Sequence, residues 1–285
     1  MPGSHFESIP EPMTEDYLQR FGGIGRLYGS AALPRLHASR VAVIGVGGVG
    51  SWVVEALARS GVGSLTLIDM DDVCITNVNR QLPALDGMIG KPKVEVLADR
   101  VRQIAPECRC TAVTEFFLES NADRLLSAGF DGIVDAVDVT DIKALIIAKA
   151  RALGIPMIIS GSAGGRRDPT QVKVADLGYA GGDPLVQQVR RRLRDEHGFP
   201  KSPAGKSVHW GIPCVFSTEK AVYPQPDGTC AATRTDATET GLRLDCSAGF
   251  GAATFVTGTF GFALAAEMLR LLTGGSEAPM ASAVS

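Results

Sequence analysis

Within residues 68–81, IDMDDVCITNVNRQ, three carboxylates precede a run of amides around an arginine: Asp69, Asp71 and Asp72, then Asn77, Asn79, Arg80 and Gln81. Lys93 follows just beyond GKP, and DAVD supplies Asp135 and Asp138. The guanidinium of Arg80 is a planar fork suited to phosphate oxygens, and Lys93 adds a second cation. Together with the carboxylates they suit a metal–triphosphate complex, in which Mg²⁺ shares carboxylate and phosphate oxygens while the cations stabilise the phosphates. Upstream, VAVIGVGGVGSW sets Gly45, Gly47 and Gly50 at G-x-G-x-x-G spacing between a strand-like and a helix-like run. Such glycines allow a tight turn, close approach to phosphate and packing of helix on strand, and the helix N-terminus offers free N–H groups. Asp69 lies where a carboxylate can bind ribose hydroxyls. Alone, the turn and Asp69 serve NAD and ATP equally. Arg80, Lys93 and Asp138 favour ATP, because hydride transfer leaves them without a task.

Each residue has a plainer reading as well. Asp71 and Asp72 suit a solvated turn, Arg80 a surface ion pair and Lys93 a helix-surface charge. Asp135 suits a loop or helix cap. Asp138 has the better functional case, because ligands of open α/β sheets sit beyond strand C-termini.

The elements that must position these groups alternate. Val41–Ile44, Leu65–Ile68, Cys110–Phe117, Ile133–Val137 and Met157–Ser160 read as strands. Ser51–Arg59, Lys91–Ile104 and Asp141–Leu153 read as helices. Strand–helix alternation implies a parallel sheet covered on both faces. The fold expected is α/β: a doubly wound, mainly parallel sheet with a Rossmann-like nucleotide-binding half and a C-terminal extension. A single domain is expected over 20–275, with an N-terminal extension (1–19, partly disordered), an insert around 179–245 and a flexible tail (276–285). Inside the insert, DPLVQQVRRRLRDEHG reads as a helix with Asp183 as N-cap, Pro184 at the first position and Gly198 past its end. Leu185, Val186, Val189 and Leu193 share one arc, with Arg190, Arg191 and Arg194 largely opposite. Residues 202–211 read as a mobile loop.

Composition narrows the classes. The 285 residues are 45% hydrophobic with a net charge of −3, which argues for a packed core and gives no global field toward nucleic acid. No DNA partner is expected, and any RNA contact must be a local basic patch. Six cysteines without a C-x-x-C pair, and four histidines, give no support to a zinc site. Residues 1–13 lack the apolar core of a leader, so a reduced cytoplasmic setting is expected. Ala248–Ala266 carries no charge and is long enough to span a bilayer. Its four glycines and three threonines fit a buried helix better than a membrane segment.

At these residues the chain resembles the ubiquitin-activating-type (ThiF/MoeB/HesA) adenylation superfamily, through RVAVIGVGGVGSW, SLTLIDMDDVCITNVNRQ, GKPKVE and DAVD. RFGGIGRLYG, GSAGGRRDPTQ, CVFSTE, VYPQPDG and DCSAGFGAATFVTGTFGF are similar to the tRNA threonylcarbamoyladenosine dehydratase family within it. The resemblance runs from about Arg20 to Leu272. It implies ATP with Mg²⁺, a monovalent cation without an assignable site, a homodimer, and a tRNA carrying N6-threonylcarbamoyladenosine (t6A) as substrate. Gly48 and Asp69 would contact adenosine, with Gly45, Gly47, Gly50 and Asp71 completing the nucleotide site. Asn77, Arg80 and Lys93 would hold phosphates, and Asp138 would bind Mg²⁺ or lie beside the α-phosphate. Arg80, Lys93 and Asp138 are thus the catalytic candidates. Arg20 and Arg26 are candidates to reach across the dimer, and Arg190, Arg191 and Arg194 to touch tRNA.

Rival readings keep their own residues. A sulfur-carrier activator would pass an acyl group, or accept sulfur from a cysteine desulfurase, at Cys214, Cys230 or Cys246, each set in apolar or glycine-rich sequence that suits a buried side chain. An NAD-dependent oxidoreductase would use only the glycines and Asp69. A non-catalytic RNA-binding module would rest on the Arg190–Arg194 face.

Overall fold

The computed structural model describes residues 12–201, 208–225, 227–233 and 250–275. Its main sheet holds β1 (Arg40–Ile44), β2 (Ser64–Ile68), β3 (Arg109–Val113), β4 (Gly132–Asp135), β5 (Met157–Ser160), β6 (Val172–Asp176) and β7 (Pro213–Ser217). The strand order is β3-β2-β1-β4-β5-β7-β6. Neighbours pair in parallel, apart from β6 against β7. The chain winds outward both ways from β1, so the switch in strand order falls between β1 and β4. A crevice must open there, beyond the strand C-termini.

Both faces of the sheet are covered. α1 (Glu15–Tyr28), α2 (Ala32–Ala38), α3 (Gly50–Arg59), α4 (Lys93–Ile104) and α8 (Thr254–Thr273) lie on one face. On the other lie α5 (Glu119–Leu126), α6 (Thr140–Ala152) and α7 (Pro184–Glu196). Val41 and Val43 of β1 join the first core, while Ala42 and Ile44 join the second. Burial on both faces accounts for the continuous apolar runs of these strands. The α/β, doubly wound expectation is borne out.

Element ends differ from the sequence reading for local reasons. β3 stops at Val113 rather than Phe117, because its partner β2 ends at Ile68, the residue paired with Val113. Residues 115–118 then fold over the crevice. β4 stops at Asp135, and α4 starts at Lys93 because Pro92 holds an extended ψ of 129°. Asp183 caps α7 as expected, its Oδ1 accepting from the Val186 N–H at 3.1 Å. Of the loop expected at 202–211, residues 202–207 lie outside the described residues.

α8 contains most of the uncharged stretch and is long and apolar enough to cross a membrane by length and composition. Its Val256, Phe260, Leu264, Met268 and Leu269 are instead buried in the core beside α3, β4 and β5. A Cβ on Gly261 would come within 2.6 Å of Trp52 Cβ and 2.8 Å of the Val49 carbonyl. The small residues therefore let α8 lie directly on α3.

Candidate functional site

A cleft of about 390 Å³ opens at the switch point. Gly45, Gly47 and Gly48 line its floor. Gly45 has φ +80°, in the left-handed region open chiefly to glycine. Gly50 lies beneath the turn rather than in the cleft lining, where a Cβ would sit 1.9 Å from the Gly45 carbonyl oxygen. Its role here is to let α3 approach the turn.

Asp69 leaves the end of β2 and binds its own surroundings. Oδ2 accepts from the Val46 N–H at 2.8 Å and Oδ1 from the Asp71 N–H at 2.9 Å. Burial raises its carboxyl pKa, against the pull of Lys93 and of those two N–H groups. Lys93 is buried at the start of α4, with Nζ 2.8 Å from the exposed Asp71 Oδ2. The sequence reading of Lys93 as a surface charge fails, since its stem packs into the cleft wall.

Arg80 also lines the cleft. Its Nη1 donates to the Thr76 carbonyl at 2.8 Å and to Asn79 Oδ1 at 3.0 Å. Nε and Nη2 have no protein partner among the described residues. The loop carrying it is fastened from α3 and α8: Trp52 Nε1 and Thr257 Oγ1 donate to the Arg80 carbonyl at 3.2 and 3.3 Å. Thr254 Oγ1 donates to the Asn79 carbonyl at 2.6 Å.

Asp138 lies past the end of β4, in the cleft lining and exposed. The surrounding walls displace water and raise its carboxyl pKa; its own N–H, Lys143 and Lys93 pull it down, and Asp71 pushes it up. Asp135 takes no part in the lining. Fully buried, it receives the Val137 N–H at 2.9 Å, the loop-holding role its position suggested.

Several expected residues lie elsewhere. Asn77 is buried outside the lining, with Oδ1 accepting from the Cys74 N–H at 3.0 Å, so its amide oxygen shapes the loop that carries Arg80. Arg190 folds back on the carbonyls of Leu177 and Gly178 at 3.4 and 3.2 Å, and burial lowers its pKa. Arg191 is exposed and lies 3.6 Å from Asp195. Arg20 pairs with Asp16 at 2.6 Å on α1 and, like Arg26, does not line this chain's cleft. Conversely, Phe116, Phe117, Leu118 and Val139 form an apolar wall that sequence reasoning did not assign. The aromatic pair in TEFFLES was its signal, masked by the strand reading. Gln81 also lines the cleft, its buried Oε1 without a partner among the described residues.

The described thiol candidates, Cys214 and Cys230, form no disulfide among the described residues. Cys214 is fully buried in β7, and burial pushes its thiol far above the usual range, the opposite of a reactive thiolate. Cys230 is exposed, and Cys246 lies outside the described residues. Cys214→Ala is expected to keep its reaction rate and lose about 1 kcal/mol of stability. A folded variant without turnover would restore the thiol-acceptor reading. No group of three or more His, Cys, Asp or Glu among the described residues could hold a metal. The carboxylate of Asp138, in a lining that also holds Asp69, Asp71 and Glu115, fits instead a Mg²⁺ that arrives with phosphates and keeps most of its other ligands from them and from water.

The ThiF family model matches residues 24–284. The chain belongs to the ThiF family. Within it, the chain is 48% identical over 258 residues to the tRNA threonylcarbamoyladenosine dehydratase of Escherichia coli, covering 90% of this chain and 95% of that one. The Haemophilus influenzae protein of the same name is 48% identical over 248 residues, 87% and 91% of the two chains. A solved structure of the E. coli dehydratase in complex with ATP is similar at a TM-score of 0.80 and 43% identity, covering 92% and 97%. This ThiF-family chain therefore sits in the dehydratase branch, as RFGGIGRLYG and the motifs after residue 160 indicated.

Proposed function

We propose that this protein uses ATP to dehydrate t6A in tRNA, closing the threonyl side chain into cyclic t6A. The observation that carries the reading is the meeting of Gly45, Asp69, Arg80, Lys93 and Asp138 in one cleft, in a chain 48% identical to a dehydratase. A threonyl carboxylate is a poor electrophile because oxide does not leave. Its oxygen attacks the α-phosphorus of ATP and pyrophosphate departs. A ureido nitrogen of the same modified base then attacks the acyl carbon, AMP leaves with the former carboxylate oxygen, and the base has lost one water. Ring closure is intramolecular, so the protein's work is to position and to stabilise charge.

In this reading Asp69 holds the ribose and the glycine turn meets the phosphates. The apolar wall of Phe116–Leu118 receives the adenine. Arg80 and Lys93 face the phosphates, with Lys93 exchanging its contact with Asp71. Asp138 would hold the Mg²⁺ that accompanies ATP, and the ion would supply positive charge beside the phosphates. The exposed apolar side chains Ile75, Val78, Leu85, Phe255 and Phe262 favour a homodimer, which is where Arg20 or Arg26 would act. A cytoplasmic setting follows from a tRNA substrate.

Incubation with t6A-containing tRNA, ATP and Mg²⁺, followed by mass measurement of the released nucleosides, tests the proposal. A product lighter by one water supports it. Unchanged nucleoside under conditions that support ATP binding would sink it.

A further inference from the structure

Lys143 is the largest fully buried side chain described, and it lies on α6 behind the cleft. Its Nζ is 2.8 Å from Asp135 Oδ2 and donates to the Asp135 carbonyl at 3.3 Å, with both side chains 0% exposed. One ammonium thus grips the last residue of β4 twice. The other carboxylate oxygen of Asp135 holds the Val137 N–H, beside Asp138. From the cleft side the same turn has no slack: the Ala136 N–H donates to the Ile44 carbonyl at 2.9 Å. A Cβ on Gly45 would lie 3.1 Å from Ala136 and Val137 backbone atoms.

Stability alone does not account for such a pair. Two sealed charges lose their hydration, and an apolar pair of similar volume often serves folding as well or better. What Asp135 and Lys143 give that apolar side chains cannot is directed attachment of a backbone turn. We infer that Lys143 is the positioning residue for Asp138, fixing its carboxylate in the cleft by bracing the β4–α6 turn through Asp135. The inference rests on the reading of Asp138 as the site of nucleotide-bound Mg²⁺.

The test measures ATP affinity with Mg²⁺ and with EDTA, by calorimetry, in full-length protein whose fold is checked by circular dichroism. Groups that orient a metal ligand typically contribute 10–100-fold to metal affinity or activity. Lys143→Met should therefore lower the Mg²⁺-dependent gain in ATP affinity by roughly tenfold or more, and lower kcat while sparing the KM for tRNA. In an Asp138→Ala background the same change should have no further effect on that gain. If Lys143→Met does not fold, the near-isosteric Asp135→Asn removes the attraction, keeps the shape and carries the same test.

A folded Lys143→Met or Asp135→Asn protein with wild-type Mg²⁺ dependence overturns the inference. So does an equal loss in the presence and absence of Asp138, which marks a merely structural pair. If Asp138→Ala itself leaves the Mg²⁺ gain unchanged, the metal reading of Asp138 fails and takes the inference with it. Loss on Asp138→Ala with no effect of Lys143→Met fails the inference alone.

Discussion

Asp138→Ala lowers the rate of t6A dehydration by roughly 10²–10³-fold, the size of effect seen when one preorganised electrostatic group is removed from a reaction centre. The expectation rests on position. Asp138 is exposed and lines the same cleft as Arg80, past the end of β4. It supports no other element through its carboxylate in the way that Asp69 and Asp135 do, so stability should change by no more than about 0.5 kcal/mol. Asp138→Asn keeps the shape and loses the charge, and it should fall nearly as far. Single-turnover rates read by nucleoside mass, set beside thermal melts, check both variants. Near-normal turnover in either one removes Asp138 from the reaction.

The second large effect concerns the fold beneath the site. Gly50→Ala would place a methyl carbon 1.9 Å from the Gly45 carbonyl oxygen and 2.9 Å from its carbon. Both are backbone atoms, so α3 or the glycine turn must move. Overpacking of this kind costs typically 1–3 kcal/mol and occasionally more; here the upper end, about 3 kcal/mol, is expected. ATP affinity should fall with it, because the floor of the cleft is displaced. Gly48→Ala is the control. Its Cβ would meet Arg80 Cγ and Thr257 Cγ2 at an ordinary 3.5 Å, so the fold should survive. Urea unfolding of the two variants decides the matter, and a Gly50→Ala protein as stable as wild type would contradict the geometry of the turn.

Position in the sheet made much of this site legible from sequence. The apolar runs of β1, β4 and β5 are continuous because both faces are covered, and such runs, punctuated by glycine or acid, announce themselves. Asp138 could be singled out because it follows a strand. What stayed hidden depends on contacts far away in the chain. Lys143 sits in DIKALIIAKARA, where it looks no different from Lys149, which pairs with Glu119 and Asp123 near the surface. Only the position of Asp135 beneath α6 separates the two. The family resemblance places Asn77 among the phosphate-holding residues, yet its oxygen is turned back on the Cys74 N–H. Gly22, Gly23 and Gly25 weaken the helical signal of α1 in the sequence. Gly25 is needed there: a Cβ would lie 2.8 Å from Leu33 Cδ1. Arg190 falls on the outward arc of a helical wheel but reaches past its own helix to the carbonyls of Leu177 and Gly178, just after β6.

The loop that carries Arg80 is tied down from α8, by Thr254 and Thr257, across 175 and 177 residues of chain. During synthesis, at about 5–20 residues per second, the glycine turn and β2 emerge long before those two threonines. For that interval the Arg80 loop is held from α3 by Trp52 but lacks both of its ties to α8. Chains cut short before α8 should therefore consume ATP more slowly than the full chain.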